Sequence, residues 1–470
     1  MHDTIIIWFR NDLRIRDNEA FYKAVQNADK IIPIYCVDPR LFARTQAFGF
    51  SKTGIFRAQF LQESLQDLQY QLQDLGIDLV IKYGKPETIL FALARYHQAK
   101  AIYCHQAATS EEFAIEDTLD ANLQTIGTAI RFFWDSTLHH FDDLPFELDD
   151  LPDTPILFEQ KMANECPIRS TFPIPSTPKM VKKLQLGKLP TLSDLGINET
   201  FKADKRAVLA FKGGETAALQ RLKAYFWESS TALQHYSKTK NQLLGSDYSS
   251  KFSAWLALGC ISIRTIYEEL QQYQNQHKHT ESTRAFKHSL LQRDYHKFTA
   301  MYRGDTIFYP SGIYKNHPIG NIDWDLFNKW QYGRTGIPFI DANMRELLFT
   351  GFISHTGRTI VANFLVNYLG ISWLFGAEYF ESQLIDYDVC SNYINWNKLI
   401  NTPKKTTIKH LITQAQHHDP EGLYTKYWCP ELKRLPSTRL HEPYLLSNTE
   451  QSYLGLQIGI HYPKPCIEVQ

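Results

Sequence analysis

The chain has little that would tie it to a membrane, an oxidising compartment or a dinucleotide. No hydrophobic run is long: the opening TIIIWF is cut off at Arg10, short of a bilayer span of roughly 20 apolar residues and of a secretory core. The seven Cys stand singly, with no CxxC pair and no His at zinc-finger spacing, which excludes a disulfide framework and a structural zinc site. No GxGxxG follows the first apolar run, so the dinucleotide fingerprint is missing. Net charge is zero, which argues against a uniformly basic nucleic-acid binder. These absences predict a soluble, cytoplasmic protein without a membrane partner or a metal.

What is present is core material. The 470 residues, 43% hydrophobic and 13% aromatic, suit two or three globular domains. The 29 Phe, 25 Tyr and 9 Trp pack cores and would also suit a flat conjugated ligand. Charge is unevenly divided: 20 Lys and Arg meet 27 Asp and Glu in residues 1–200, whereas 30 meet 23 in residues 201–470. A polyanion would therefore meet the second half, although chance on solvated faces gives the same imbalance.

The first part alternates TIIIWF, KIIPIYCVD, IDLVIKYG, AKAIYCH and AIRFFWD with helical patterns such as FRAQFLQESLQDLQYQL and PETILFALARYHQ. Short β-branched runs separated by amphipathic helices predict parallel strands with right-handed crossovers, a doubly wound α/β domain over residues 1–135. Residues 136–200 read as an interdomain linker, rich in Pro and Asp from about Asp142 to Pro190. Residues 201–470 carry helical periods throughout and predict an all-α domain.

Two stretches of that domain hold unusual polar residues. In DYSSKFSAWLALG, three Ser and a Lys precede an apolar helix; they read either as a plain N-cap or as an anion site built from unsatisfied N–H groups. In LIDYDVCSNYINWNKLI, Asp388, Asn392 and Trp396 recur every four residues and so share a helix face, with Asp386 and Lys398 beside them. A buried Arg, such as Arg358 of TGRTIVANFL, needs a carboxylate, and two carboxylates can hold it and still accept from a ligand N–H. Asn392 can donate and accept at a ring nitrogen whose protonation follows its redox state, and Trp396 can be the nearest electron donor. A Trp-packed helix with a structural ion pair is the other reading.

Together WFRNDLRIRDN, SKTGIFRAQF, GKPETIL, GGETAALQRL, LLGSDYSSKFSAWLALGCIS, TGIPFIDANMREL and FESQLIDYDVCSNYINWN resemble the photolyase and cryptochrome family, nearest its cryptochrome DASH branch. The likeness runs in order from Trp8 to about Leu432. It implies an α/β domain packed on a helical domain that holds FAD. Carried over by position, Tyr236, Ser249, Ser250, Lys251, Phe252 and Ser253 line the phosphate and ribityl part. Arg293, Arg358, Asp386, Asp388 and Asn392 surround the isoalloxazine, with Asn392 facing its N5. Trp396 and Trp373 match the first two members of the family's electron-transfer chain. The third has no counterpart at the family's spacing, because NIDWDLFNKW is shorter than its relatives; Trp324 stands in that region, and a tyrosine is the other candidate.

The chain departs from the family where a repair enzyme would hold a pyrimidine dimer. SLLQRDY, SHTGR and NWNKL put Ser289, Gln292, His355, Thr359 and Lys398 where relatives carry a Glu, stacking aromatics and an Asn. Either the cavity has drifted out of use, or it is reshaped for an anionic ligand drawn by Lys398, His355, Lys404 and Lys405. The resemblance also admits a 5,10-methenyltetrahydrofolate antenna near Glu111, although Ala107 replaces the branch's usual Glu; an acidic first helical turn explains Glu111 equally well. The expected function is a blue-light photoreceptor of cryptochrome DASH type with an unidentified signalling partner. The alternative is a light-driven lyase acting on cyclobutane dimers in single-stranded DNA, and a third reading is a non-photochemical flavoprotein or nucleic-acid-binding module.

Overall fold

The computed structural model describes residues 3–176, 178–229, 231–313, 315, 320–401 and 407–469. Five strands, β1 (Thr4–Phe9), β2 (Lys30–Val37), β3 (Val80–Tyr83), β4 (Ala101–His105) and β5 (Ala129–Phe133), form one sheet in the order β3-β2-β1-β4-β5. All four pairings are parallel. Each strand falls on one of the five β-branched runs, and β1 is buried along its whole length, as a central strand covered on both faces must be. Helices α1 (Glu19–Asn27), α2 (Ile55–Asp74), α3 (Pro86–His97) and α4 (Ser110–Gln124) make the crossovers.

The connecting segment differs from expectation. It contains a helix, α5 (Pro155–Glu165), where the sequence suggested none. Its start was legible: Thr154 caps Leu157 N at 3.3 Å and Pro155 takes the first helical position, where a missing N–H costs nothing. Phe158 and Met162 bury its inner face.

The second half is helical: α6 (Glu215–Lys223), α7 (Tyr236–Thr239), α8 (Ser253–Ala257), α9 (Ile263–His277), α10 (Glu281–Arg303), α11 (Trp324–Gln331), α12 (Pro338–Thr350), α13 (His355–Asn363), α14 (Trp373–Gln383) and α15 (Val389–Asn401), with shorter helices to Leu454. Among the described residues no helix is long and apolar enough to cross a membrane.

The WFRNDLRIRDN motif clasps the two halves. Asp17, fully buried, accepts Arg264 Nε at 2.9 Å and Nη2 at 2.7 Å from α9. Arg14 donates to Gly259 O at 2.9 Å and pairs with Asp135. Glu215 of α6 accepts Ile15 N at 2.9 Å and Arg16 N at 3.2 Å. Buried charges persist only when paired in this way. The motif therefore fixes the interface at which the second cavity described below is built.

Candidate functional site

Two turns of local structure set the first half of the site. Ser354 caps α13 by accepting Gly357 N at 3.0 Å, which points Arg358 back along its helix, where Nε donates to Ile353 O at 3.0 Å. Arg358 Nη2 then donates to both oxygens of Asp386 at 2.9 Å. The Asp386 side chain is 2% exposed and that of Arg358 is 23% exposed, so the carboxylate is the buried partner and the guanidinium opens onto the cavity. Asp388 stands at the start of α15, where its carboxylate accepts Ser391 N at 2.8 Å. Burial pushes its pKa up, but Lys297, Arg293 and the bond from Ser391 outweigh that and hold it at about 2, so it is a carboxylate at any ordinary pH.

Along α15, Asn392 and Trp396 are both buried on the inner face. Asn392 Nδ2 donates to Ala377 O at 3.1 Å, which fixes the amide and leaves its oxygen as the group that can meet a ligand. Trp396 packs against Phe380 of α14 at 5.3 Å between ring centroids. Gly376 permits this approach: a Cβ there would run into the indole's outer edge.

These residues line one cavity of about 340 Å³, with Arg358, Asp386, Asp388, Asn392 and Trp396 on its walls and His355, Thr359 and Lys398 around the rest. Lys398 Nζ lies 2.8 Å from His296 Nε2. Burial lowers the lysine to about 8, and burial together with Lys398 lowers His296 to about 3, so the histidine is neutral and accepts from the lysine. Trp373 lies outside the cavity, fully buried, with its indole N–H donated to Pro310 O at 2.9 Å.

Three expectations are corrected. Arg293 does not face this cavity: its guanidinium donates to Ser136 O and, at 3.3 Å, to Leu256 O on the interdomain side, and it reaches the site through its field on Asp388. Ser289 and Gln292 do not line the cavity either. Ser289 donates to Phe286 O at 2.6 Å, a helix-internal bond that turns a short hydroxyl away, and Gln292 is exposed to solvent. Lys404 and Lys405 lie outside the described residues.

The serine-rich segment forms a tight loop before α8. Lys251 takes a left-handed backbone (φ +59°), and its ammonium donates to Ser246 O at 2.8 Å and lies 3.4 Å over the Tyr248 ring. Burial lowers it to about 7. Ser249 and Ser250 present their carbonyls to Arg221, which donates to Ser246 O at 3.0 Å, Ser249 O at 3.2 Å, Ser250 O at 3.0 Å and Asp247 at 2.9 Å. Phe252 is buried and Ser253 opens α8, exposed. Tyr236 is buried edge-on to Phe286 at 5.4 Å. Arg221 organises this loop, yet in the sequence it is an ordinary basic residue in a helical pattern; its only signal is its place in GGETAALQRL.

The Tyr248 hydroxyl is buried with no hydrogen-bond partner among the described residues, and the charges of Glu346, Arg358 and Asp386 act on it. A buried hydroxyl needs a partner, so this one points to a polar ligand joining the loop to the Arg358–Asp386 wall. The donor set fits a flat ring with donor and acceptor edges, joined to a polar tail.

A second cavity, about 270 Å³, lies at the carboxyl ends of β1, β2 and β4, where α/β sheets bind ligands. The helical half closes it with Leu256, Lys297 and Tyr387. Glu111 stands at its rim, 69% exposed and paired with Lys52 at 2.5 Å.

The pattern of the family described as the FAD binding domain of DNA photolyase matches residues 264–470, and that of DNA photolyase matches residues 5–178. The chain is 44% identical over 469 residues to a cryptochrome DASH of Gloeobacter violaceus, covering 99% of this chain and 93% of that protein. It is also 44% identical over 470 residues to a cryptochrome DASH of Synechocystis sp., covering 99% and 95%. The crystal structure of a Synechocystis sp. cryptochrome superposes with a TM-score of 0.94 at 43% identity, covering 99% of this chain and 96% of that one. A bacterial class III photolyase from Agrobacterium tumefaciens gives 0.86 at 25% identity, covering 100% and 95%.

Proposed function

Because the chain belongs to the photolyase and cryptochrome family, in its cryptochrome DASH branch, we propose that it works as an FAD photoreceptor whose flavin is reduced by blue light through Trp396 and Trp373. The observation that supports this most is the single cavity joining the Arg358–Asp386 pair, Asp388, Asn392 and Trp396. Bound FAD supplies a ring that absorbs blue light and, once excited, accepts an electron. Arg358 and Asp386 would hold its edge, the fixed amide of Asn392 would offer its oxygen to the ring, and Tyr248 with the loop of Ser249, Ser250 and Lys251 would take the ribityl and phosphate part. Trp396, packed on Phe380 and over Gly376, would be the side chain placed to donate an electron to that ring, with Trp373 the next donor behind. An antenna folate would enter the interdomain cavity past Glu111. The protein works in the cytoplasm and reports the redox state of its flavin to a signalling partner.

Repair of cyclobutane dimers is expected to be absent. A dimer must be taken out of the stack and gripped beside the flavin, and stacking on aromatics contributes on the order of 1–3 kcal/mol per base. Here Gln292 and Lys398 offer no aromatic face, and Ser289 is turned away. Illumination of reduced protein with dimer-containing single-stranded oligonucleotide tests this: no turnover is expected, and turnover at physiological salt would establish the lyase reading instead.

Weak binding of single-stranded DNA or another anionic ligand remains part of the proposal, and Lys398 gives it a signature. A lysine held at about 8 loses its charge between pH 7 and 9, whereas a solvated one stays charged to about 10.4. His296, at about 3, stays neutral across that window. Oligonucleotide affinity at low salt should fall from pH 7 to pH 9 in the wild type, and the fall should vanish in Lys398→Met. An equal fall in both proteins would remove Lys398 from the binding surface.

A further inference from the structure

A third cavity, of about 310 Å³, lies where the connecting segment crosses the helical half, between α5, residues 166–170, α9 and α10. It shares no lining residue with the two cavities above.

Three cations stand in its wall, Arg169, Arg264 and Lys287. Each arginine is held by one carboxylate through the same two nitrogens: Arg169 gives Nε and Nη2 to Asp143 at 2.6 and 2.7 Å, and Arg264 gives Nε and Nη2 to Asp17 at 2.9 and 2.7 Å. Neither Nη1 makes a hydrogen bond among the described residues. A guanidinium carries five N–H donors in a rigid fork, so each anchored fork keeps two unspent. Arg264 is 2% exposed, which leaves its unspent pair little bulk water to meet. Lys287 lies 5.6 Å over the Tyr267 ring and pairs with no carboxylate among the described residues. The carboxylate in the wall, Glu268, is already engaged: it accepts Thr171 N at 3.1 Å and Thr171 Oγ1 at 3.0 Å.

His139 is a second sign of a missing partner. It lines the cavity at 2% exposure, and its Nδ1 is buried with no hydrogen-bond partner among the described residues. Buried polar groups of this kind are normally satisfied. Burial and Lys287 lower the imidazole to about 4, against the Pro167 carbonyl and Asp143, so it is neutral beside the three cations. Spare donors on two anchored arginines and a lysine suit an oxyanion, and phosphate above all. The wall also holds Met162, Ile168 and the Tyr267 ring. A tetrahedral anion alone leaves much of the space unfilled, and this apolar surface suits a short carbon body.

We propose that this cavity binds a small phosphate monoester, with its phosphate on Arg169, Arg264 and Lys287 and its carbon part against Met162, Ile168 and Tyr267. Arg169 comes from the connecting segment, Arg264 from α9 and Lys287 from α10. The ligand therefore bridges the segment to the helical half and stabilises that junction when bound.

The chain has five Met, and among the described residues only Met162 lines this cavity, so its methyl group reports on the site. FAD-bound holoprotein carrying methyl-13C-methionine, with the Met162 resonance assigned from Met162→Leu, is titrated at constant ionic strength with inorganic phosphate in one arm and glycerol phosphate in the other. The Met162 resonance is expected to shift and saturate while the other methyl resonances stay in place, and glycerol phosphate is expected to saturate it at the lower concentration. Lys287→Ala and Arg169→Ala should each weaken binding about 10-fold, as loss of one charged donor does. Arg264 is left alone because it also clasps the two halves. A Met162 resonance unmoved by both anions would overturn the site, and so would unchanged affinity in Lys287→Ala, a variant that breaks no ion pair among the described residues. Equal saturation by inorganic phosphate and glycerol phosphate would overturn the monoester assignment.

Discussion

Trp396→Phe is expected to yield a protein that keeps its FAD and its fold but is reduced by blue light on the order of 100-fold more slowly, equivalent to about 2.7 kcal/mol of added barrier. The substitution isolates electron donation from packing. Trp396 is buried against Phe380 and over Gly376, and a phenyl ring keeps most of that contact. The loss of packing should therefore stay below the roughly 3–5 kcal/mol of truncation to Ala. What disappears is the easily oxidised indole in the wall of the cavity. Flash photolysis at matched FAD content checks this, and an unchanged rate would move the path to other residues.

Arg358→Ala is expected to be the most damaging change for cofactor retention. Arg358 Nη2 is the donor shared by both oxygens of Asp386, whose side chain is 2% exposed. Removing one partner of a buried pair costs about 3–5 kcal/mol. Because the arginine side chain is itself 23% exposed, solvent screening brings the expected cost to the bottom of that range or below. A loss of about 2.8 kcal/mol would weaken binding roughly 100-fold, enough for the protein to purify largely without its yellow colour. Asp388→Asn added to it should complete the loss, since Asp388 is the other carboxylate on that wall. The ratio of flavin to protein absorbance reads the result, and full FAD occupancy in the double variant would show that the cofactor is held elsewhere.

The parts of this molecule that were legible in the sequence are those set by local periodicity. The β-branched runs gave the strands, because burial on both faces leaves no alternation to blur them. The i, i+4 spacing of Asn392 and Trp396 gave the inner face of α15. The parts that were not legible depend on which way a side chain turns or on partners far along the chain. Arg293 is spent on backbone carbonyls of Ser136 and Leu256, and Ser289 on its own helix; neither outcome follows from residue type. WFRNDLRIRDN carried no assigned role, because the partners of Asp17 and Arg14 are Arg264 and Gly259, some 245 residues away. Lys398 lines the cavity, but its contact with His296, 102 residues before it, could not be read from the sequence.

The most direct test is the absorption spectrum of the purified protein before and after blue light, with a thiol present. The account predicts the bands of bound oxidised flavin in the dark, their bleaching under light, and their return in air. A protein without bound flavin, or one whose flavin bands are unmoved by light, would contradict it.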